Sequence, residues 1–233
     1  MAIGTPTQRY AAQSLAQGAS TVFSPATTVA VNSVAILAIA CLANKVASSV
    51  TDSVGNTYAV DVTAADGTRA LSFCSAQIAT QITSGDTITV NWNPVTSGQV
   101  NIWVQEVTGL ATSSVYDTTA TATGTGTALA TATSPTLALA DEIVFGVFRT
   151  SADITWTKGA SYTDPTTPGI PTGAGAARNT LEYKIVSDAT GIVADGTASP
   201  SVTWIALAAT YKAPSGSGLQ VPLAYPPIKF GPF

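Results

Sequence analysis

Hydrophobic and polar residues alternate along most of the chain with the period of a β-strand, in segments rich in Val, Ile, Thr and aromatic residues. No segment carries a 3.6-residue hydrophobic stripe of helical length. Turn sequences such as Asp66-Gly67 and Asp195-Gly196 separate many of the alternating segments. The pattern predicts ten strands, at residues 27–31, 34–42, 57–62, 69–79, 87–92, 99–108, 128–133, 142–150, 179–186 and 201–212.

This number and spacing of strands predicts an all-β protein, an antiparallel β-sandwich of jelly-roll or immunoglobulin-like type. We expect residues 1–20 to form an extended N-terminal arm, residues 21–212 the sandwich, and residues 213–233 a linker and a Pro-rich C-terminal arm. The low-complexity residues 118–136 are interpreted as an irregular connection that runs into a strand, and residues 163–179 as a long Pro/Gly loop.

The C-terminal segment 219–233, LQVPLAYPPIKFGPF, is too apolar for a solvated tail, and its four prolines exclude a helix or an interior strand. Two interpretations are open. In the first, the segment docks into pockets on a partner protein, and little chain entropy is lost because proline already restricts φ. In the second, it folds back across an edge strand of its own sandwich. The predicted partner-binding residues are Leu223, Tyr225, Pro226, Pro227, Ile228, Phe230 and Phe233.

Composition narrows the range of partners. Charged residues make up 9% of the chain, against roughly a quarter in an average soluble domain, so hydroxyl-bearing and small side chains are expected to cover the surface. The net charge is −4 and the basic residues are scattered singly, which argues against a nucleic-acid partner. The longest apolar run, residues 34–43, is about half the length of a membrane-spanning helix, so no membrane partner is expected.

Residues 1–20 lack the basic and apolar regions of a secretory signal. We therefore expect the protein to be made and kept in the cytosol until another process carries it out. Under that expectation Cys41 and Cys74 are interpreted as two reduced core thiols, since a disulfide would also require adjacent strands and a shared face.

The chain contains no histidine, which removes His-based catalytic triads and the commonest metal ligand. Two cysteines in apolar strands cannot form a zinc site alone, and no Gly-rich phosphate loop follows a strand and opens a helix. We therefore expect no enzyme activity and no cofactor or metal.

Glu106 is the most conspicuous ionisable residue, because alternation places it on the same face as Ile102 and Val104, which is expected to be buried. The same alternation in the strand 142–150 places Arg149 on one face with Phe145 and Val147. A cross-strand pair of Glu106 with Arg149 is therefore the favoured interpretation. The alternative is a lyase or glycosidase, which would require carboxylates such as Glu106 and Asp117 to cluster in a cleft.

The aromatic residues allow a second binding hypothesis. Trp156 and Tyr162 lie beside the long Pro/Gly loop and are the best candidates for exposed, ligand-facing aromatics that stack on sugar rings. The opposing interpretation is that they fill the core or the ends of the sheets. If they are exposed, the chain is a carbohydrate-binding or adhesin module.

The order of several segments resembles that of β-sandwich virion structural proteins of tailed bacteriophages. The resemblance covers about residues 27–212 and rests on TTVAVNSVAILAIACL, VTDSVGNTY, ITSGDTITVNW, IWVQEVTGL, ADEIVFGVF and VTWIALAATYK. It implies a non-enzymatic building block: a capsid decoration protein, a head-fibre base or a minor tail protein.

The resemblance also implies where such a protein works and what it binds. We expect synthesis in the host cytoplasm, location on the capsid surface and the major capsid protein as partner. A homo-oligomer is expected, with a trimer suggested by the local threefold positions that capsids offer.

Overall fold

The computed structural model describes residues 2–42, 45–93, 98–165, 169–170 and 179–215. Within these residues the chain forms strands joined by turns and no helix, and every strand pair is antiparallel. The strands are β1 (Thr7–Gln17), β2 (Ser20–Phe23), β3 (Val34–Leu42), β4 (Val46–Asp52), β5 (Tyr58–Ala65), β6 (Arg69–Gln77), β7 (Ile88–Asn93), β8 (Gly98–Val107), β9 (Tyr116–Ala130), β10 (Asp141–Thr150), β11 (Thr155–Lys158), β12 (Gly169–Ile170), β13 (Asn179–Ser187) and β14 (Asp195–Lys212).

The prediction of an all-β antiparallel sandwich is confirmed. Strand β3 has its predicted bounds, and β5, β6, β7, β8, β9, β10, β13 and β14 overlap predicted strands. The predicted strand at residues 27–31 is instead an irregular segment, in which Val29 forms an isolated bridge with Ile82.

The first half of the chain builds two of the three sheets. A five-stranded front sheet has the order β1-β8-β3-β6-β5, and a small sheet of β2-β7-β4 covers one of its faces. Apolar side chains of both sheets form a buried front core between them. Its larger members include Leu37, Ile39, Ile78, Ile82, Ile88, Val90, Trp92, Ile102 and Val104.

The second half of the chain builds the back sheet. In this sheet β13 lies between β10 and β12. Strands β10 and β11 pair with successive stretches of one edge of β14, and β9 pairs with the other edge of β14. One face of the back sheet packs on the free face of the front sheet and forms the central core, while its other face lies under connecting segments in a back core. The central core includes Ile36, Leu71, Phe73, Trp103, Phe145, Leu181, Leu207 and Tyr211.

Strand β3 shows why an almost continuous apolar run is needed at the middle of this arrangement. Its odd-numbered residues, such as Leu37, enter the front core, whereas its even-numbered residues, such as Ile36, enter the central core. Because both faces are covered, no position of VAILAIAC is free to be polar.

The two halves of the chain repeat one topology. The strand order β1-β8-β3-β6-β5 of the front sheet corresponds to β9-β14-β10-β13-β12 of the back sheet. The registers also correspond: β3 pairs with β6 from Val34↔Gln77 to Leu42↔Arg69, and β10 pairs with β13 from Asp141↔Ser187 to Arg149↔Asn179. Corresponding faces of the two sheets meet in the central core.

Sequence similarity accompanies this topological repeat. Residues 79–82, ATQI, follow β6, and residues 189–192, ATGI, follow β13 at the same spacing of 110 residues that separates Leu71 from Leu181. Each isoleucine then bonds the segment that precedes the central strand of its half: Ile82 N donates to Val29 O at 3.1 Å, and Ile192 N donates to Ser134 Oγ at 3.0 Å. The two halves of the chain therefore share one strand topology and meet in the central core.

The expected N-terminal arm needs correction, because residues 7–17 form the edge strand β1. This strand pairs with β8 from Thr7↔Glu106 to Gln17↔Gly98, with two register shifts along the way. The shifts break the alternation of apolar residues, which is why the pattern did not predict a strand. Tyr10 stacks on Phe23 of β2 with ring centroids 4.3 Å apart.

The interpretation of residues 118–136 as an irregular connection is also wrong for most of their length. Strand β9 pairs with β14 from Tyr116↔Tyr211 to Ala130↔Asp195. The hydroxyls of Thr119 and Thr121 donate to the backbone oxygens of Ala208 and Ala206 at 2.7 and 3.0 Å. Alternating threonine therefore forms a strand here, as its β-branched side chain favours.

The prediction of two reduced core thiols is confirmed, since Cys41 and Cys74 are free and buried in the front core. Cys74 lies opposite Leu37, four residues before Cys41 on β3. Four residues of strand span about 13 Å, which is too far for a disulfide.

Candidate functional site

A cleft of about 360 Å³ opens beside the central core, where the two halves of the chain meet. Its walls are the edge of the front sheet, at residues 57–61 and 75–77, and the segment 111–116 that leads into β9. The lining consists mostly of hydroxyl-bearing and small residues, with Asp61 as its carboxyl group. This volume lies within the range of roughly 300–1,000 Å³ typical of small-molecule sites.

Asp61 lies at the inner wall of the cleft and is held by two hydroxyl groups. Ser75 Oγ donates to its Oδ1 and Tyr211 Oη donates to its Oδ2, both at 3.0 Å. Burial raises the pKa of Asp61 to about 6, even though these hydrogen bonds by themselves lower it. The group therefore changes charge close to neutral pH.

Gln77 and Ser114 add two further features to the cleft. Gln77 Oε1 is buried and has no hydrogen-bond partner among the described residues, although it belongs to a lining side chain. Ser114, on the opposite wall, has a φ of 47°, in the left-handed region that a non-glycine residue rarely adopts. Strained residues of this kind are frequent at binding sites.

Sequence reasoning missed this cleft. In YAVDVTAA strict alternation places Asp61 on the side opposite Val60 and Val62, which is typical of an exposed carboxylate. A register shift between Val60 and Val62 puts Asp61 and Val62 on the same side of β5, toward the central core. No pattern in the sequence revealed that segment 111–116 would form the facing wall.

The expectation that Trp156 and Tyr162 face a ligand is corrected by their burial. Tyr162 is 2% exposed, and its hydroxyl donates to Val193 O at 2.8 Å. Trp156 is half-buried, and its ring lies 4.9 Å from that of Phe148. Both aromatic side chains pack with the back core. Gly196 lies against the ring of Trp156, and its lack of a Cβ atom leaves room for the indole.

Glu182 lies near Tyr162 and is fully buried. It accepts hydrogen bonds from the backbone N–H groups of Gly159 and Asp195 at 3.1 and 3.2 Å. Burial raises its pKa to about 8, so the folded protein holds this carboxyl protonated at neutral pH. From inside the fold, Glu182 links the backbone N–H groups of Gly159 and Asp195.

Glu106 is buried as predicted, but its partner is Arg9 and not Arg149. Nε and Nη2 of Arg9 both contact Glu106 Oε2, and Ala30 N donates to Oε1 at 2.9 Å. Arg149 Nη1 instead donates to Asn179 Oδ1 at 2.6 Å. The sequence assigned each of the two residues to the correct face of its strand. Glu106 faces the front core, however, whereas Arg149 faces the central core, so the front sheet separates them.

The alternative carboxylate pair, Glu106 with Asp117, is not assembled either. Asp117 lies beside Glu142 in the back sheet, accepts a hydrogen bond from Ala138 N at 2.8 Å and has Lys212 Nζ 3.7 Å from its Oδ1. Burial is the main reason that the pKa of Glu142 is raised, and the neighbouring Asp117 charge adds to it. Lys212 neutralises part of the charge of Asp117, whose side chain is 11% exposed, beside the fully buried Glu142.

The described ranges contain no group of three or more His, Cys, Asp or Glu side chains arranged to hold a metal ion. No helix that could cross a membrane is found in the same residues. The predicted partner-binding residues of the C-terminal segment lie outside the part of the chain that the structure describes, as do most residues of the Pro/Gly loop.

Comparison with protein-family models, with curated protein sequences and with solved structures gives no significant match.

Proposed function

We propose that this chain is a non-enzymatic structural protein of a tailed-phage virion, a capsid decoration protein that binds the major capsid protein through segment 219–233. The observation that carries the proposal is the contrast between the closed sandwich and this segment. The last strand of the sandwich is followed by Ala213, whose N donates to Asp141 O at 3.0 Å, and the sequence then runs through a Ser/Gly-rich stretch into fifteen residues rich in apolar side chains and proline.

The character of the sandwich supports a building block. Three sheets enclose separate apolar cores, and the acidic groups inside the fold, such as Glu106 and Glu182, are held by hydrogen bonds to arginine or backbone. A chain with 9% charged residues presents mainly hydroxyl and small side chains to the surroundings.

The proposed attachment uses apolar anchors whose backbone is restricted beforehand by Pro222, Pro226, Pro227 and Pro232. Leu223, Tyr225, Ile228, Phe230 and Phe233 are the side chains that would fill pockets on the capsid protein. A homo-oligomer, a trimer at local threefold positions, would present several such anchors and gain avidity.

Deletion of residues 219–233 tests the attachment. The truncated protein is expected to keep the thermal unfolding midpoint of the full chain and to lose co-sedimentation with purified capsids. A matched variant keeps the prolines and the length but replaces Leu223, Tyr225, Ile228, Phe230 and Phe233 by serine, and it should lose binding as well. Binding of the deleted protein at full occupancy would contradict attachment through this segment.

Loss of stability on deletion, without loss of capsid binding, would instead support a segment that folds back on its own sandwich. The mass of the full chain in solution, measured by light scattering, tests the trimer. Images of labelled virions decide between the head surface and the tail.

A further inference from the structure

We propose that the outer edge of β9, at residues 122–126, pairs with the same edge of a second copy of this chain across a two-fold axis, the commonest symmetry of homo-oligomers. The two back sheets then become one continuous antiparallel sheet. This contact is separate from segment 219–233 and from the cleft beside Asp61, so it does not rest on the proposed attachment to a capsid.

Strand β9 is hydrogen-bonded to another strand along one edge only. Within the described residues it pairs with β14 and with no other strand. Its register with β14 is unbroken from Thr119↔Ala209 to Gly126↔Val202, because both register shifts lie outside this stretch. In an antiparallel strand the backbone N–H and C=O groups of successive residues point to alternate sides. Every second residue of this stretch therefore presents both groups away from β14.

One hydrogen bond identifies the residues whose backbone groups point outward. Thr121 O accepts a bond from Ala132 N, 3.5 Å away, and Ala132 belongs to the segment that follows β9. Thr123 and Thr125 have the same parity as Thr121, and among the residues that the structure describes none bonds their outward N–H and C=O groups. The edge is therefore open at these two threonines, whose side chains are also exposed.

The open edge of β9 lacks the features that keep an edge strand from pairing, which are charge, bulges and short length. No residue from Thr118 to Ala130 is charged. By contrast, β1 carries Arg9 and two register shifts, and β4 and β5 carry Asp52 and Asp61 with one shift each. Strands β2, β11 and β12 have four residues or fewer.

The sequence of this edge is complementary to itself. In residues 121–127, TATGTGT, threonine alternates with alanine or glycine symmetrically about Gly124. Antiparallel pairing about Gly124 sets Thr123 of each copy opposite Thr125 of the other, where the two residues exchange both backbone hydrogen bonds. Threonine pairs of this kind stabilise neighbouring strands, and no charge in this stretch of one copy meets a like charge of the other. A second copy of the chain is therefore the partner that fits the edge.

Light scattering of the full chain tests the pairing. Thr123→Lys combined with Thr125→Lys sets lysine opposite lysine across the axis, at exposed positions outside the cores. The double variant is expected to have half the mass of the wild type. This ratio is the same whether the halved unit is the single chain or the proposed trimer, so failure of the trimer leaves it unchanged.

A matched control adds the same charge elsewhere. Thr28→Lys combined with Thr80→Lys changes two exposed threonines outside β9 and should keep the wild-type mass. Equal masses for the wild type and the Thr123→Lys, Thr125→Lys protein would overturn pairing between copies and leave this edge to a strand of another protein. Halving of the mass in the control as well would assign the effect to charge alone and would also refute the contact.

Hydrogen exchange at single-residue resolution locates the contact. The amides of Thr123 and Thr125 should be protected in the wild type and exchange fast in the double lysine variant. The amides of Ala122 and Gly124 bond β14 within the chain and should be protected in both proteins, which also verifies the fold of the variant. Fast exchange of Thr123 and Thr125 in the wild type would overturn the proposal. Protection that persists in the variant would mean that the same chain covers this edge, which overturns it too.

Discussion

Leu71 of β6 and Leu181 of β13 occupy corresponding positions in the two halves of the chain, and both are fully buried in the central core. Each lies on the face that its own sheet turns toward the other sheet. The central core therefore resembles an interface between two copies of one module, joined here into a single chain by segment 111–116. The cleft beside Asp61 lies at this junction, so it exists only when both halves are folded together.

Shared burial predicts that the two halves unfold as one unit. Leu71→Ala and Leu181→Ala should each lower the free energy of unfolding by about 2–5 kcal/mol, through lost burial and the cavity left behind. Urea unfolding should show a single transition for both variants, by circular dichroism and by tryptophan fluorescence. Leu139→Ala, at a half-exposed leucine, is the control and should cost clearly less. Two separate transitions, each sensitive to one substitution only, would show that the halves are independent.

The pair formed by Arg9 and Glu106 predicts that β1 is part of the folded unit. Arg9→Ala leaves a carboxylate that is 4% exposed without its cation, which should reduce the free energy of unfolding by about 1–3 kcal/mol. The double variant Arg9→Met and Glu106→Gln removes both charges and should recover much of that loss. An Arg9→Ala protein as stable as the wild type in urea would mean that residues 7–17 do not hold β8 in solution.

Asp61 predicts a pH dependence with a defined sign. Its pKa in the folded protein is raised to about 6, so the folded state binds this proton more tightly than the unfolded chain does. The resulting stabilisation is complete below about pH 4 and is lost as pH rises through about 6. Asp61→Asn should therefore match the wild type at pH 4 and exceed its unfolding free energy at pH 7 by an amount on the order of 2 kcal/mol. Parallel stability curves for the two proteins between pH 4 and 7 would contradict this.

Asp66 provides a control for Asp61, because its pKa is shifted in the opposite direction. Burial alone would raise its pKa, but hydrogen bonds from Thr68 and Arg69 lower it below the ordinary value. Its contribution to stability is therefore present above the ordinary carboxyl pKa and is lost as pH falls through the lowered value. Asp66→Asn should be less stable than the wild type at pH 7, and the difference should shrink in acid. Urea titrations of both variants across the same buffers separate the two signs.

The fold was predictable where each strand has one register and a clear pattern. Strand β3 was placed with its bounds because an uninterrupted apolar run such as VAILAIAC suits a strand covered on both faces. Strand β1 was missed because its two register shifts break the period of two, and Arg149 was given the wrong partner because parity within a strand does not say which of two cores a face meets.

The cleft depends on contacts between distant segments, which no local pattern encodes. Asp61 and Tyr211 are 150 residues apart in sequence, yet their side chains are hydrogen-bonded. The repeat was equally hidden, because only a few residues such as Leu71 and Leu181 are identical, and most of the correspondence lies in register and topology.

Gly124 of β9 carries the last prediction, since it allows Trp204 of β14 to lie against the backbone. The two residues are cross-strand partners, and a Cβ atom at Gly124 would come within 2.5 Å of the Trp204 ring. Gly124→Ala should therefore force the indole to shift and lower the free energy of unfolding by about 1–3 kcal/mol, with a change in tryptophan fluorescence. Gly18→Ala is the matched control, because a Cβ there meets nothing within 4 Å. A Gly124→Ala protein with wild-type stability and fluorescence would mean that β9 and β14 do not pair in this register, and that the threonine-rich segment is the irregular connection its composition suggested.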